Sequence, residues 1–180
     1  MTEHVYIVVT QTGTVLSRLL KIITHADYNH VSLSADPTLG ILYSFGRKNP
    51  YNPFWGGFVM ESPHFGTFKR FSGTEAVVLA LPVTPEMRLA MEDRLKEMYE
   101  NRREYRYDTL GLLLAWIKIL YVRQNTYYCS SFVRDFLWEF GLAKDFSFSR
   151  FPKPVEFLDL PDGTVIYRGK LRSFEETVTR

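Results

Sequence analysis

The chain has a single cysteine, Cys129, set in the run YYCSSFVRDFLWEFG over 127–141, and four histidines, His4, His25, His30 and His64. A thiol attacks as its thiolate, and it serves as a catalyst when a general base lies within hydrogen-bond reach and a third group fixes that base's tautomer. From Ser130 onward, Phe132, Val133, Phe136, Leu137 and Phe140 fall at the spacings of one helix face, and Gly141 stands where a left-handed cap is usual. Cys129 is therefore expected at the first turn of an amphipathic helix. Unpaired backbone N–H groups and the positive end of the helix dipole favour thiolate there. The same N–H groups could receive the oxygen of a tetrahedral intermediate. Position alone does not make a nucleophile, because a lone free cysteine is more often a packing residue.

Of the histidines, His30 opens the run His30-Val31-Ser32-Leu33-Ser34, whose alternation predicts a strand with one wetted face. His30, Ser32 and Ser34 then share a side, and a strand is rigid enough to aim a base. His4 reads as part of an N-terminal tail, His25 as the close of a helix, and His64 as part of a proline-rich loop.

The elements that must position these groups follow from the pattern. Residues 5–10 (VYIVVT) read as a buried strand. Thr14 caps a helix over 15–23, Asp36-Pro37 makes a turn, and 40–45 is the return strand of a hairpin. Residues 46–57 hold two Pro, two Asn and three Gly and read as a long loop carrying Tyr51, Phe54 and Trp55. A short strand over 58–61 ends at Glu61, and 76–81 is a further strand.

Thr84-Pro85-Glu86 starts a helix with Met87, Met91, Leu95 and Met98 as its buried stripe and Glu92–Lys96 as a pair on its wet side. Arg102, Arg103 and Arg106 are interleaved with Glu100, Glu104 and Asp108, which reads as a solvated charged face before an anion site. A helix over 110–120 is apolar nearly all round, so it is either core or the contact of a homo-oligomer. A helical turn over 155–158 and a last strand over 164–168 complete the chain. Strands in the first half and helices in the second imply an α+β fold, a mainly antiparallel sheet packed by helices.

Bulk properties narrow the function. At 180 residues the chain reads as one domain, 1–180, able to bury a core. A net charge of +2, with no basic run interleaved with aromatics, gives no footprint for nucleic acid. One cysteine excludes an internal disulfide framework, and no ligand spacing suggests a metal or another cofactor. The N-terminus does not read as a secretory signal, and the longest apolar run is too short for a transmembrane segment. The expectation is a soluble, cytoplasmic protein.

Three segments resemble a known family. The run SRLLKIITHADYNHVSLS, 17–34, is similar to the helix followed by "Tyr-x-His-Val" of circularly permuted papain-like hydrolases, relatives of the NlpC-type cell-wall peptidases. Tyr127-Tyr128-Cys129-Ser130-Ser131-Phe132-Val133 resembles their "Tyr-Cys-Ser-x-x-Val" nucleophile motif, and Tyr107-Asp108 a Tyr-Asp pair upstream of the cysteine. His30 precedes Cys129, which is the permuted order, shared with lecithin:retinol acyltransferase-like proteins.

The resemblance implies a papain-like domain with a Cys129–His30 dyad that cleaves an amide or ester through an acyl-enzyme. It also implies a third, polar residue at the end of the strand after the histidine strand. Members carry His, Glu, Gln or Asn there, whereas this sequence has Ser44; Glu61 is the nearest carboxylate whose strand could lie beside His30. Tyr107 and Tyr28 are candidate partners of the oxyanion, with Tyr51 and Trp55 as a substrate wall. Small peptides, amides or acyl compounds inside the cell are the expected substrates. An acyltransferase, or an inactive binding module on the same fold, is the alternative.

Overall fold

Val5, Ile7 and Val9 point to one side of the first strand and Val8 and Thr10 to the other, and all five are buried. A strand covered on both faces belongs inside a sheet. In the computed structural model, which describes residues 2–12, 27–49, 52–108 and 125–174, that strand is β1 (Glu3–Gln11). It lies between β2 (His30–Ser34) and β5 (Glu75–Val83), antiparallel to both. With β3 (Leu42–Asn49), β4 (Asn52–Glu61) and β8 (Thr164–Lys170) they form a six-stranded sheet in the order β4-β3-β2-β1-β5-β8. Every ladder in it is antiparallel. The fold is α+β with a mainly antiparallel sheet.

Three helices are described: α1 (Gly66–Arg70), α2 (Pro85–Glu100) and α3 (Cys129–Glu139). The start of α2 is fixed as expected, with Thr84 Oγ1 accepting from the Met87 N–H at 3.2 Å and Pro85 in the first turn. Met91, Leu95 and Met98 are buried, and Lys96 pairs with Glu92 at 2.6 Å. In α3, Phe132, Val133, Phe136 and Leu137 enter the larger core, and Gly141 adopts φ 76° just past the helix. That core also takes Val31, Leu33, Phe45 and Phe58 from one face of the sheet. A smaller core on the other face gathers Val8, Leu42, Val78, Phe68 of α1, Leu171 and Phe174. A short parallel pair, β6 (Arg106–Tyr107) with β7 (Thr126–Tyr127), leads into α3.

Two sequence expectations are corrected. Residues 46–49 and 52–57 are not loop; they belong to β3 and β4, which form a bulged antiparallel pair with Gly46 opposite Gly57 and Arg47 opposite Gly56. The glycines that suggested a loop permit close cross-strand approach, and Pro53 sits in β4, the edge strand, where a proline is tolerated. His4 is not in a tail but in β1, opposite Pro82 of β5. The helices expected over 15–23 and 110–120 lie outside the described residues, as does Tyr51. The backbone of Trp55 lies in β4.

The attachment of α3 to the sheet runs through aromatics. The Phe132 ring is 5.4 Å from that of Phe45 and 5.2 Å from that of Phe58. Phe132→Ala should cost about 3–5 kcal/mol, read as a lowered urea midpoint with unchanged slope. A loss under about 1 kcal/mol would mean that α3 is anchored elsewhere.

Candidate active site

Strand alternation places His30, Ser32 and Ser34 on the face of the smaller core, together with Ser44 of β3 and Glu61 of β4. The three strands converge on one carboxylate oxygen. Glu61 Oε2 lies 2.9 Å from His30 Nε2 and accepts from Ser44 Oγ at 2.6 Å and from Ser32 Oγ at 3.2 Å. Ser32 Oγ is also 3.3 Å from His30 Nε2. Glu61 and both serines are buried, and the imidazole is only 14% exposed. The ring of Phe68 in α1 lies 6.2 Å from the imidazole between centroids, tilted by 53°.

The charges follow from this packing. Burial alone would discharge His30, but the Glu61 carboxylate and the hydrogen bonds to Cys129 and Glu61 prevail and raise its pKa to about 10. Burial also penalises the Glu61 carboxylate, yet the His30 charge and the bonds from His30, Ser44 and Ser32 hold its pKa below the usual range. The pair is an imidazolium and a carboxylate at neutral pH.

Cys129 reaches this pair from the other face. It is the first residue of α3, whose Tyr128 cap is extended and gives its N–H to Ser131 Oγ at 3.0 Å. Pairing of β2 with β3 has Leu33 opposite Tyr43 as its register point. At the His30 end of β2 the sulphur meets the imidazole and the Val31 N–H instead. Burial would raise the thiol's pKa, but the hydrogen bond and charge of His30, the Ser130 hydroxyl and the Val31 N–H lower it. Ser130 Oγ stands 3.8 Å from the sulphur. Because Nε2 of His30 is engaged by Glu61, Nδ1 is the ring nitrogen left for the thiol. Beside them the Tyr128 phenol is pushed up, by burial first and also by the neighbouring thiolate, so it stays protonated.

The structure thus brings together Cys129, His30, Glu61 and Ser44. Between the two candidates for third member, the carboxylate meets the imidazole, whereas the Ser44 hydroxyl bonds the carboxylate. Glu61 is not on a strand next to β2; it reaches across from β4, past β3. Tyr107 pairs with Tyr127, two residues ahead of Cys129, and its ring lies over Gly56, where an added Cβ would come within 2.5 Å. Tyr28 packs its ring against the larger core.

Ser32 was not singled out by sequence reasoning, although its place on the His30 face was visible in the alternation. Asn29 was also missed. Its Nδ2 is buried with no partner among the described residues, as is Thr10 Oγ1, and Thr10 stands opposite His30 in the β1–β2 ladder. Among the described residues no group of three or more His, Cys, Asp or Glu is arranged to hold a metal ion, and no helix is long and apolar enough to cross a membrane. No protein-family model, curated protein or solved structure matches the chain.

The imidazolium leaves a signature in stability. With Cys129→Ala, so that no thiolate titrates in opposition, stability should fall as pH rises from the unfolded histidine's pKa near 6.5 toward the raised folded value. The folded state holds its proton through that window while the unfolded state releases it, so rising pH favours unfolding. Urea midpoints across the window should show this slope, and Cys129→Ala/His30→Gln should abolish it. Equal slopes in the two proteins would mean that His30 is neutral when folded.

Proposed function

We propose that the chain is a cysteine hydrolase of amide or ester bonds, acting through a thioester acyl-enzyme on a circularly permuted papain-like domain. The observation that carries the reading is the line Cys129–His30–Glu61: a thiol at a helix start, hydrogen-bonded to an imidazole whose other nitrogen lies 2.9 Å from a buried carboxylate. The order of His30 before Cys129 and the three motif resemblances support the permuted assignment.

In this reaction the Cys129 thiolate adds to the substrate carbonyl carbon. The resulting oxyanion is received by the unpaired N–H groups of the first turn of α3, with the Tyr28 and Tyr107 hydroxyls as further donors. His30, as imidazolium, gives its proton to the departing amine or alcohol while the carbonyl re-forms as a thioester. Neutral His30 then takes a proton from water, whose oxygen attacks the thioester, and collapse releases the acid and restores the thiolate. Glu61 keeps the ring oriented and stabilises its charge in both steps, and Ser32 and Ser44 keep Glu61 ionised. Small peptides, amides or acyl compounds are the substrate class.

Alkylation by iodoacetamide tests the ion pair directly. At pH 6 wild-type Cys129 should label at least about tenfold faster than in His30→Ala, whose thiol should titrate near 8.5. Glu61→Gln should fall between the two. A wild-type thiol that itself titrates near 8.5 would overturn the reading. Where the pair is present, a p-nitrophenyl ester should leave an acyl group on Cys129, seen by intact mass and lost in Cys129→Ala.

A further inference from the structure

On the outer edge of β4 lies a cavity of about 350 Å³, lined by Lys48, Val59, Glu61, Thr67, Arg102 and Arg103 among others. It does not include Cys129. Three of its walls are cationic, and none of the three cations meets a carboxylate among the described residues. Arg102 is held in place without being neutralised: it donates to the Tyr99 carbonyl at 2.9 Å and its guanidinium stacks over the Tyr99 ring at 4.6 Å. Arg103 and Lys48 are exposed. The acidic residues interleaved with these arginines in sequence, Glu100 and Glu104, form no ion pair with them.

Next to the cavity the β3–β4 hairpin carries a pair of glycines that sets where Lys48 can lie. Gly46 and Gly57 face each other across the ladder. A Cβ on Gly57 would fall 2.2 Å from Lys48 Cε and 2.7 Å from its Nζ, so the absent side chain is what lets the lysine cross the strand. A Cβ on Gly46 would lie 3.5 Å from Glu61 Oε1. That oxygen, unlike Oε2, accepts no hydrogen bond among the described residues. Among the described residues the cavity thus holds one carboxylate oxygen that accepts no hydrogen bond and three cations that meet no carboxylate, while His30 and the two serines offset the Glu61 charge through Oε2.

We infer that this cavity is a binding site for a small oxyanion, a carboxylate or phosphate, on a molecule that also carries an N–H or O–H donor. Lys48, Arg102 and Arg103 take the anion, and Glu61 Oε1 takes the donor. Guanidinium and ammonium groups bind such oxygens by charge-assisted hydrogen bonds, and an arginine stacked on an aromatic ring is already oriented to do so. The inference does not depend on the hydrolase reading, since no step of it uses Cys129; the two share Glu61, through Oε2 there and Oε1 here.

The test is calorimetric titration of the full chain with inorganic phosphate and, separately, succinate, at constant ionic strength set with chloride. The Cys129→Ala protein serves equally well, so a failed hydrolase reading leaves this result intact. Saturable binding in the millimolar range or tighter is expected for at least one of the two, and which one binds identifies the anion class. Arg102→Gln/Arg103→Gln and Lys48→Met should each weaken it at least about tenfold. Gly57→Ala, whose new methyl displaces only the flexible end of Lys48, should weaken it also. Absence of saturable binding by both anions, or binding unchanged in all these variants, overturns the site.

Discussion

A carboxylate buried in a sheet must be compensated, because the desolvation of an ion is larger than any single hydrogen bond can return. Glu61 meets that demand with three contacts on one oxygen, drawn from two neighbouring strands. The ring of His30 is thereby fixed in orientation, and its charge is retained despite burial. Such pairs are weak contributors to stability, and removal of one partner typically costs about 3–5 kcal/mol because the other charge is left stranded. Its retention is more readily understood through what it does to the third group, the thiol of Cys129.

That thiol arrives by a different route. The polar cluster lies on the face of the smaller core, whereas α3 is bound to the opposite face by Phe132, Val133, Phe136 and Leu137. Contact is made only where β2 begins, so the sulphur meets the His30 ring and the Val31 N–H at the end of a strand. The sheet thus separates the packing of the helix from the chemistry at its first residue. Mutations on one face can change stability without altering charge on the other, provided that the helix keeps its axial position.

The β3–β4 hairpin connects the two features of greatest functional interest. Its inner strand supplies Ser44 and its outer strand Glu61. Further along, Gly57 leaves the space in which Lys48 crosses the strand, and Lys48 lines the cationic cavity. One hairpin, irregular enough to resemble a loop in sequence, therefore carries both the carboxylate that meets His30 and one side of the cationic cavity.

Much of this was legible in the residues themselves. The alternation of 30–34 set β2 and put Ser32 beside His30; the stripe from Phe132 to Phe140 set α3 with Cys129 at its start; Thr84-Pro85-Glu86 set the entry to α2. These are local periodicities and caps, which depend on neighbours a few residues away. What sequence left open was decided by pairing between distant strands. Which of Ser44 and Glu61 meets the His30 ring turned on the pairing of β4 with β3, and the strand character of 46–49 and 52–57 turned on a cross-strand register that places glycine against glycine. The union of Arg102, Arg103 and Lys48 around one cavity depended on the end of α2 coming beside that hairpin. Local pattern determines which faces and termini exist; only the packed sheet determines which of them meet, because register and strand order are fixed by long-range burial and not by any short stretch of chain.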